Sequence, residues 1–231
     1  MSQYQSQILL LKKYLRNYMK PIVDYKRFLP HKQEENSIIS VTWRQNLTIP
    51  QSVLDLLQEQ SDIWHQTHSP QEDKRYLHEQ QFELFDTELA KYNHPDYQLS
   101  DPEIAFIIKG TLHFYDNKKY RLHAYCIMSN HIHALIQPIP GNEGIIPRLQ
   151  DIVRGIKTYT AKKINEKRGK SGSVWGKNFY DSLIRDDDHY YNVLNYILNN
   201  PVKAGIVDKW QDYKYVYWNS ILVDRNDSNN G

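Results

Sequence analysis

A single α/β domain, with at least four strands interleaved with helices, is the fold class this sequence predicts. Two observations carry it. Runs of strand length rich in β-branched and aromatic residues occur at 37–44, 121–128, 131–137 and 175–184, with amphipathic stretches of helical spacing between them. No Pro/Gly/Ser-rich linker divides the 231 residues. Hydrophobic residues make up 40% of the chain, enough for a sizeable core, and the 18 tyrosines mean that the core leans on rings whose hydroxyls must reach water or a partner.

Residues 1–35 read as a basic helical extension, with Ile8, Leu11, Leu15 and Tyr18 against Lys12, Lys13, Arg16 and Lys20, followed by a Pro-bounded connector. The main domain is expected over 36–221. Its first strand is 37–44. Pro50 opens a helix with Val53, Leu56, Leu57 and Trp64 at helical spacing, and 66–81 is polar and stays unassigned. In the acidic stretch 82–92, Phe82, Phe85 and Leu89 share a helical face. Asp101 before Pro102 reads as the N-cap of a helix to about His113, with Ile104, Ile107, Ile108 and Leu112 inward. The runs 121–128 and 131–137, joined by Ser129 and Asn130, suggest an antiparallel hairpin. A basic helix is expected over 147–167, ended by Gly169, Gly172 and Gly176. After the strand near 175–184, Asp186, Asp187 and Asp188 suit a helix N-terminus. That helix is expected to stop at Asn200, because Pro201 disfavours helical geometry in the residue before it. An aromatic segment, 210–218, closes the domain, and a polar tail, 222–231, is expected to be disordered.

Charge is polarised along the chain. Residues 50–106 carry twelve acidic against three basic residues, whereas 148–178 carry nine basic against two acidic. The basic run suits a phosphate-binding surface or a solvated helix face. Cys126 is the single cysteine, which excludes an internal disulfide and points to a reducing, cytoplasmic compartment. The apolar run 8–11 is too short to span a membrane and leads into Lys12 and Lys13, so no membrane partner is expected.

Chemistry concentrates at two places. His131 and His133 stand two apart in a strand-like run, so both imidazoles face one side of a sheet and can share a metal ion. Ten His in a chain of this length give about 0.4 such pairs by chance, so the pair needs company. On the last helix Tyr190, Val193, Leu194, Ile197 and Leu198 form the apolar stripe. Tyr196 and Asn200, four apart, stand together off it and can approach the histidines jointly. An amide oxygen would be a third ligand, and a phenol beside a metal is a candidate nucleophile. Spacing alone leaves bland roles open: hydrogen-bonded strand histidines, a structural tyrosine, and an ordinary residue at a helix C-terminus.

Four ordered motifs narrow the choice: Ser129 to Ile136 (Ser-Asn-His-Ile-His-Ala-Leu-Ile), Gly172 to Trp175 (Gly-Ser-Val-Trp), Asp181 to Arg185 (Asp-Ser-Leu-Ile-Arg), and Tyr196 to Gly205 (Tyr-Ile-Leu-Asn-Asn-Pro-Val-Lys-Ala-Gly). Together, over roughly 37–218, the chain resembles the single-tyrosine HUH transposases, and within them the REP-associated tyrosine transposases. Ser129 stands where many relatives have Pro, a change to the turn and not to the chemistry. The resemblance implies a ferredoxin-like, RRM-like domain with a central antiparallel sheet and the HUH pair on a central strand. It makes His131, His133 and Asn200 the ligands of Mg²⁺ or Mn²⁺ and Tyr196 the nucleophile. The partner it implies is hairpin-flanked single-stranded DNA, cut and rejoined through a 5′-phosphotyrosine; a monomer or a homodimer fits. Arg154, Lys157, Lys162, Lys163, Lys167, Arg168 and Lys170 are the expected phosphate contacts. Two other classes stay open: a catalytically silent DNA- or RNA-binding module, and a metal-dependent phosphodiesterase that uses water.

Overall fold

The structure, a computed structural model, describes residues 20–25, 31–35, 37–67, 75–141 and 144–220. The domain is built on β3 (Ile39–Gln45), β4 (Tyr120–Ile127), β5 (His131–Pro138), β6 (Trp175–Leu183) and the short β7 (Val216–Trp218), in the spatial order β6-β3-β5-β4-β7. Every neighbouring pair is antiparallel. Helix α3 (Pro102–Tyr115) connects β3 to β4, and α4 (Leu149–Arg168) connects β5 to β6. A β-α-β-β-α-β run whose first strand lies between its fourth and third is the ferredoxin-like arrangement. The expected fold class is therefore the observed one, with β5 at the centre of the sheet.

Strand periodicity divides the sheet into two faces. Ile39, Val41, Trp43, Ile132, Ala134 and Ile136 point to one face, where Ile104, Ile108 and Leu112 of α3 and Ile152, Val153, Ile156 and Ile164 of α4 close the larger core. Trp43 and Trp175 meet edge-on there, with ring centroids 6.4 Å apart. The other face carries Leu135, Cys126 and Ala124 and is covered by α5 (Asp187–Lys203) through Tyr190, Leu194, Ile197 and Leu198. A bulge in β4 between Leu122 and Ala124 sends these two residues to opposite faces, so the strand keeps both cores supplied. Between β3 and α3 the chain inserts α1 (Gln51–Thr67) and α2 (Arg75–Leu89). They share a small core of Ile49, Leu57, Phe85 and Leu89, packed on Tyr180 of β6.

Several sequence expectations change. The helix expected across 8–20 lies largely outside the described residues, as does the tail 222–231. Where a connector was expected, β1 (Lys20–Tyr25) and β2 (His31–Glu35) pair antiparallel in a separate hairpin. Asp101 does not cap α3 through its side chain; its carboxylate instead accepts from the Gln98 backbone N–H at 3.0 Å. The last helix does not stop at Asn200. It runs through Pro201 to Lys203, since a proline in the final turn gives up one ladder bond and the turn is closed by Ala204 N–H to the Asn200 carbonyl and Ile206 N–H to that of Pro201. At its other end the Asp186 carboxylate caps His189 N–H at 2.7 Å, as the acidic start suggested. The aromatic closing segment contributes β7, which extends the sheet beyond β4.

His123, at the β4 bulge, is 2% exposed, with Nδ1 3.1 Å from the Tyr190 hydroxyl. Burial pushes its pKa down from 6.5 to about 3. The folded state therefore resists a proton that the unfolded chain accepts. Its contribution is fully present above pH 6.5 and is lost as the pH falls towards 3. Urea denaturation at a series of pH values should show His123→Gln losing stability less steeply on acidification than wild type, by about 1 kcal/mol per pH unit in that window. Parallel curves would mean that His123 is protonated inside the fold.

Candidate metal and nucleophile site

The site lies on the α5 face of the sheet and begins with the two histidines of β5. Thr42 of β3 is the register partner of His133, and its hydroxyl lies 2.8 Å from His133 Nδ1. His131 Nδ1 lies 2.6 Å from Asn130 Oδ1. The Asn130 amide N donates to the carbonyls of Leu89, at 2.7 Å, and Tyr92, so its oxygen is left to accept. His131 therefore carries its proton on Nδ1, and Nε2 presents a lone pair. With ring centroids 4.6 Å apart, both histidines aim Nε2 into the same space. Burial pushes both down to about 3, so the rings are neutral and fit to ligate.

Helix α5 brings the second half. Asn200 is buried, with its amide 3.1 Å from His133 Nε2. Exchanging amide N and O costs nothing sterically, and it turns Oδ1 to the same point. One turn earlier, the Tyr196 ring stands 5.3 Å from that of His133 and 5.8 Å from that of Phe82. Its hydroxyl is buried without a hydrogen-bond partner among the described residues. Burial first, then the Asp86 carboxylate, hold the phenol well above its ordinary value, so it is protonated at neutral pH. Lys203, two turns after Tyr196, places its ammonium 4.5 Å from the centre of that ring. Of the neighbouring phenols, Tyr190 is buried against His123 in the core, away from the histidine pair.

Asp86 is the residue that sequence reasoning missed. It arrives on α2, with Oδ1 3.5 Å from His133 Nε2 and 4.0 Å from His131 Nε2. Because the imidazoles are neutral, neither contact is an ion pair, and at His131 it sets one lone pair against another. His131 Nε2 and Asp86 Oδ1 are both buried without a hydrogen-bond partner among the described residues. Ligand atoms of Asp86, His131 and His133 lie within 4.8 Å of one another. Two imidazoles with carboxylate and amide oxygens suit a divalent cation. The only signal in the sequence was the i, i+4 relation of Asp86 to Phe82, on the flank of an apolar stripe.

The structure brings His131, His133, Tyr196 and Asn200 together, and it places the basic residues elsewhere. All seven lie on α4 or just beyond it, across the sheet from the histidines. Lys157 is engaged inside the fold: its ammonium donates to the carbonyls of Gly176 at 2.6 Å and Lys177 at 3.3 Å, and burial beside Arg44 pushes it down to about 8. Its donors are thus aimed at the backbone of β6, whereas a phosphate contact was expected of this residue. Arg154 bonds Asp151, Lys162 and Lys163 pair with Glu166 at 3.9 and 2.8 Å, and Lys167 pairs with Glu103 at 2.6 Å. Arg168 stacks 3.7 Å over Tyr97 and reaches Asp96 at 3.4 Å. Lys170 is exposed just past the Gly169 cap.

Residues 101–200 match the family described as Transposase IS200 like. The chain is 31% identical over 97 residues to a Haemophilus influenzae protein provisionally named a REP-associated tyrosine transposase, covering 40% of this chain and 55% of that one. It is 29% identical over 102 residues to an uncharacterised protein of the same organism, covering 36% and 54%. The chain thus spans about half the length of the curated relatives it matches. Among solved structures it is similar to a REP-associated tyrosine transposase bound to a REP hairpin, with a TM-score of 0.50 and 14% identity over 84% of this chain and 82% of that one, a likeness of fold. The resemblance carried by the sequence motifs is borne out. The family match takes in His131, His133, Tyr196 and Asn200 and leaves α1 and α2 outside it. Among the described residues, no helix is long and apolar enough to cross a membrane.

Thr42→Val keeps the strand and removes the hydroxyl that His133 Nδ1 faces. A buried ring nitrogen left without its partner should cost about 1–3 kcal/mol in urea unfolding, and the affinity of the site for a divalent cation should fall about 10- to 100-fold. Wild-type stability together with wild-type affinity would show that this contact does not hold the ring.

Proposed function

We propose that this protein binds hairpin-flanked single-stranded DNA and cuts and rejoins it through a 5′-phosphotyrosine on Tyr196. The observation that carries this reading is the convergence of His131, His133, Asn200 and Tyr196 on one point between β5 and α5. His131, His133 and Asn200 would hold Mg²⁺ or Mn²⁺, which when bound draws charge from a non-bridging phosphate oxygen. The rigid strand and the last turns of α5 keep nucleophile and ligands in one geometry, so little reorganisation is left for the reaction.

The chemical step balances without a further reagent. The Tyr196 oxygen bonds to phosphorus, the bond from phosphorus to the 3′ oxygen breaks, and the phenolic proton ends on that 3′ oxygen. A 3′-OH arriving from another strand reverses the exchange, so rejoining needs no ATP. Burial and Asp86 hold the phenol protonated, so its proton must leave as the oxygen attacks phosphorus. The grip on the stem is assigned to Arg154, Lys162, Lys163, Lys167, Arg168 and Lys170. The ion pairs of Arg154, Lys162, Lys163 and Lys167 are exposed, so water screens them and they yield readily to phosphate.

Two experiments test this reading. Tyr196→Phe removes one oxygen and keeps the ring. With single-stranded substrate and Mn²⁺, wild type should form a covalent adduct to the 5′-phosphate end created at the break, whereas the variant gives neither adduct nor cut. Cleavage by Tyr196→Phe at the wild-type rate would assign the attack to water and the protein to the phosphodiesterases. In the second, joint replacement of Lys162, Lys163 and Lys167 by Ala should weaken hairpin binding and flatten its log–log salt dependence by roughly 0.7–0.9 for each phosphate that is no longer neutralised. An unchanged slope moves the grip to another surface.

A further inference from the structure

We propose that Asp86 is a ligand of the site's divalent cation, so that metal binding ties the inserted helices α1 and α2 onto the catalytic face; this rests on the metal reading above. The first support is the proton inventory. Asn130 donates both its amide hydrogens to the carbonyls of Leu89 and Tyr92 and offers only its oxygen to His131, which leaves His131 Nε2 a bare lone pair. Asp86 Oδ1 faces that lone pair at 4.0 Å and His133 Nε2 at 3.5 Å. Two buried acceptors with no proton between them repel, and a cation placed between them removes the repulsion. Ligand atoms at about 2.0–2.2 Å from one ion stand roughly 3.0–3.5 Å apart; Asp86 Oδ1 and His133 Nε2 already stand at 3.5 Å, and Asp86 Oδ1 and His131 Nε2, at 4.0 Å, would close in.

The second support is how Asp86 is held. Asn130 ties down the end of α2, at Leu89 and Tyr92, with the same amide group that orients His131. Upstream, Gln81 bonds the Leu57 carbonyl at 2.9 Å, and the Phe85 ring lies 4.3 Å from that of Tyr180 on β6. The carboxylate is thus delivered by a packed helix pair, and Phe82, one turn before it, stands over both His133 and Tyr196. The sequence of the pair is strongly acidic, with Asp55, Glu59, Asp62, Glu79, Glu83, Asp86 and Glu88 against Arg75. A bound cation supplies the attraction that brings one of these carboxylates into a buried site.

The test uses the metal-free full chain, with no DNA present. Mn²⁺ binding is followed by the loss of the free-ion EPR signal for wild type, Asp86→Asn, Asp86→Ala, His133→Ala and Glu83→Gln. Hydrogen exchange across α2 is followed in parallel. Both Asp86 variants should bind Mn²⁺ at least about tenfold more weakly than wild type, while Glu83→Gln matches it. Mn²⁺ should slow exchange in α2 of wild type and leave it unchanged in Asp86→Asn. If either Asp86 variant alters the metal-free melting temperature, the isosteric Asn variant decides. Affinity of Asp86→Asn within about threefold of wild type, with the same Mn²⁺ response in α2, overturns the proposal. If His133→Ala then still loses Mn²⁺, the metal reading stands without Asp86; if His133→Ala also binds as wild type, that reading falls as well.

Discussion

Strand β5 is buried on both faces, and the chemistry of this protein depends on the alternation of its side chains. Ile132, Ala134 and Ile136 belong to the core under α3 and α4, which leaves His131, His133 and Leu135 to the other side. A slip of one residue in the pairing of β3 with β5 would send both imidazoles into the aliphatic core. The register is held where it matters, since Thr42 stands opposite His133 and bonds its ring. The large core therefore does more than stabilise the sheet, because its packing decides which face is left for polar work.

The two faces divide the labour by charge. The basic helix lies on the core side, and its lysines and arginines balance carboxylates of α3, of its own turns and of the loop at Asp96. The acidic helices α1 and α2 lie on the site side, and there they cover Tyr196 with Phe82 and Asp86. Negative charge therefore flanks Tyr196, and its field weakens as ionic strength rises. Asn130 joins this cover to the site, since one side chain anchors the end of α2 and orients His131.

Helix α5 adds the second constraint. Its apolar stripe is buried on β4 and β5, so its rotation is set by Tyr190, Leu194, Ile197 and Leu198. Tyr196 and Asn200 follow that rotation as a unit. Continuation of the helix through Pro201 keeps Asn200 inside a formed turn with Lys203 one turn on, where a helix ending at Asn200 would have frayed at the side chain that meets His133.

Much of this was already legible in the amino-acid sequence, because it rests on local periodicity. Alternation placed His131 beside His133, helical spacing placed Tyr196 beside Asn200, and the strand and helix runs defined the α/β class. Other features are set by contacts between distant segments. The β4 bulge, β7 as a fifth strand and the passage of α5 through Pro201 depend on packing that overrides local preference. Lys157 looked like any surface lysine until two carbonyls of β6 were found on its ammonium. The arrival of Asp86 between the histidines was decided by tertiary structure alone. An aspartate on the flank of an apolar stripe has no spacing relation to a strand so far along the chain, and only the packing of α2 on β6 and its clamp by Asn130 aim it at His131 and His133.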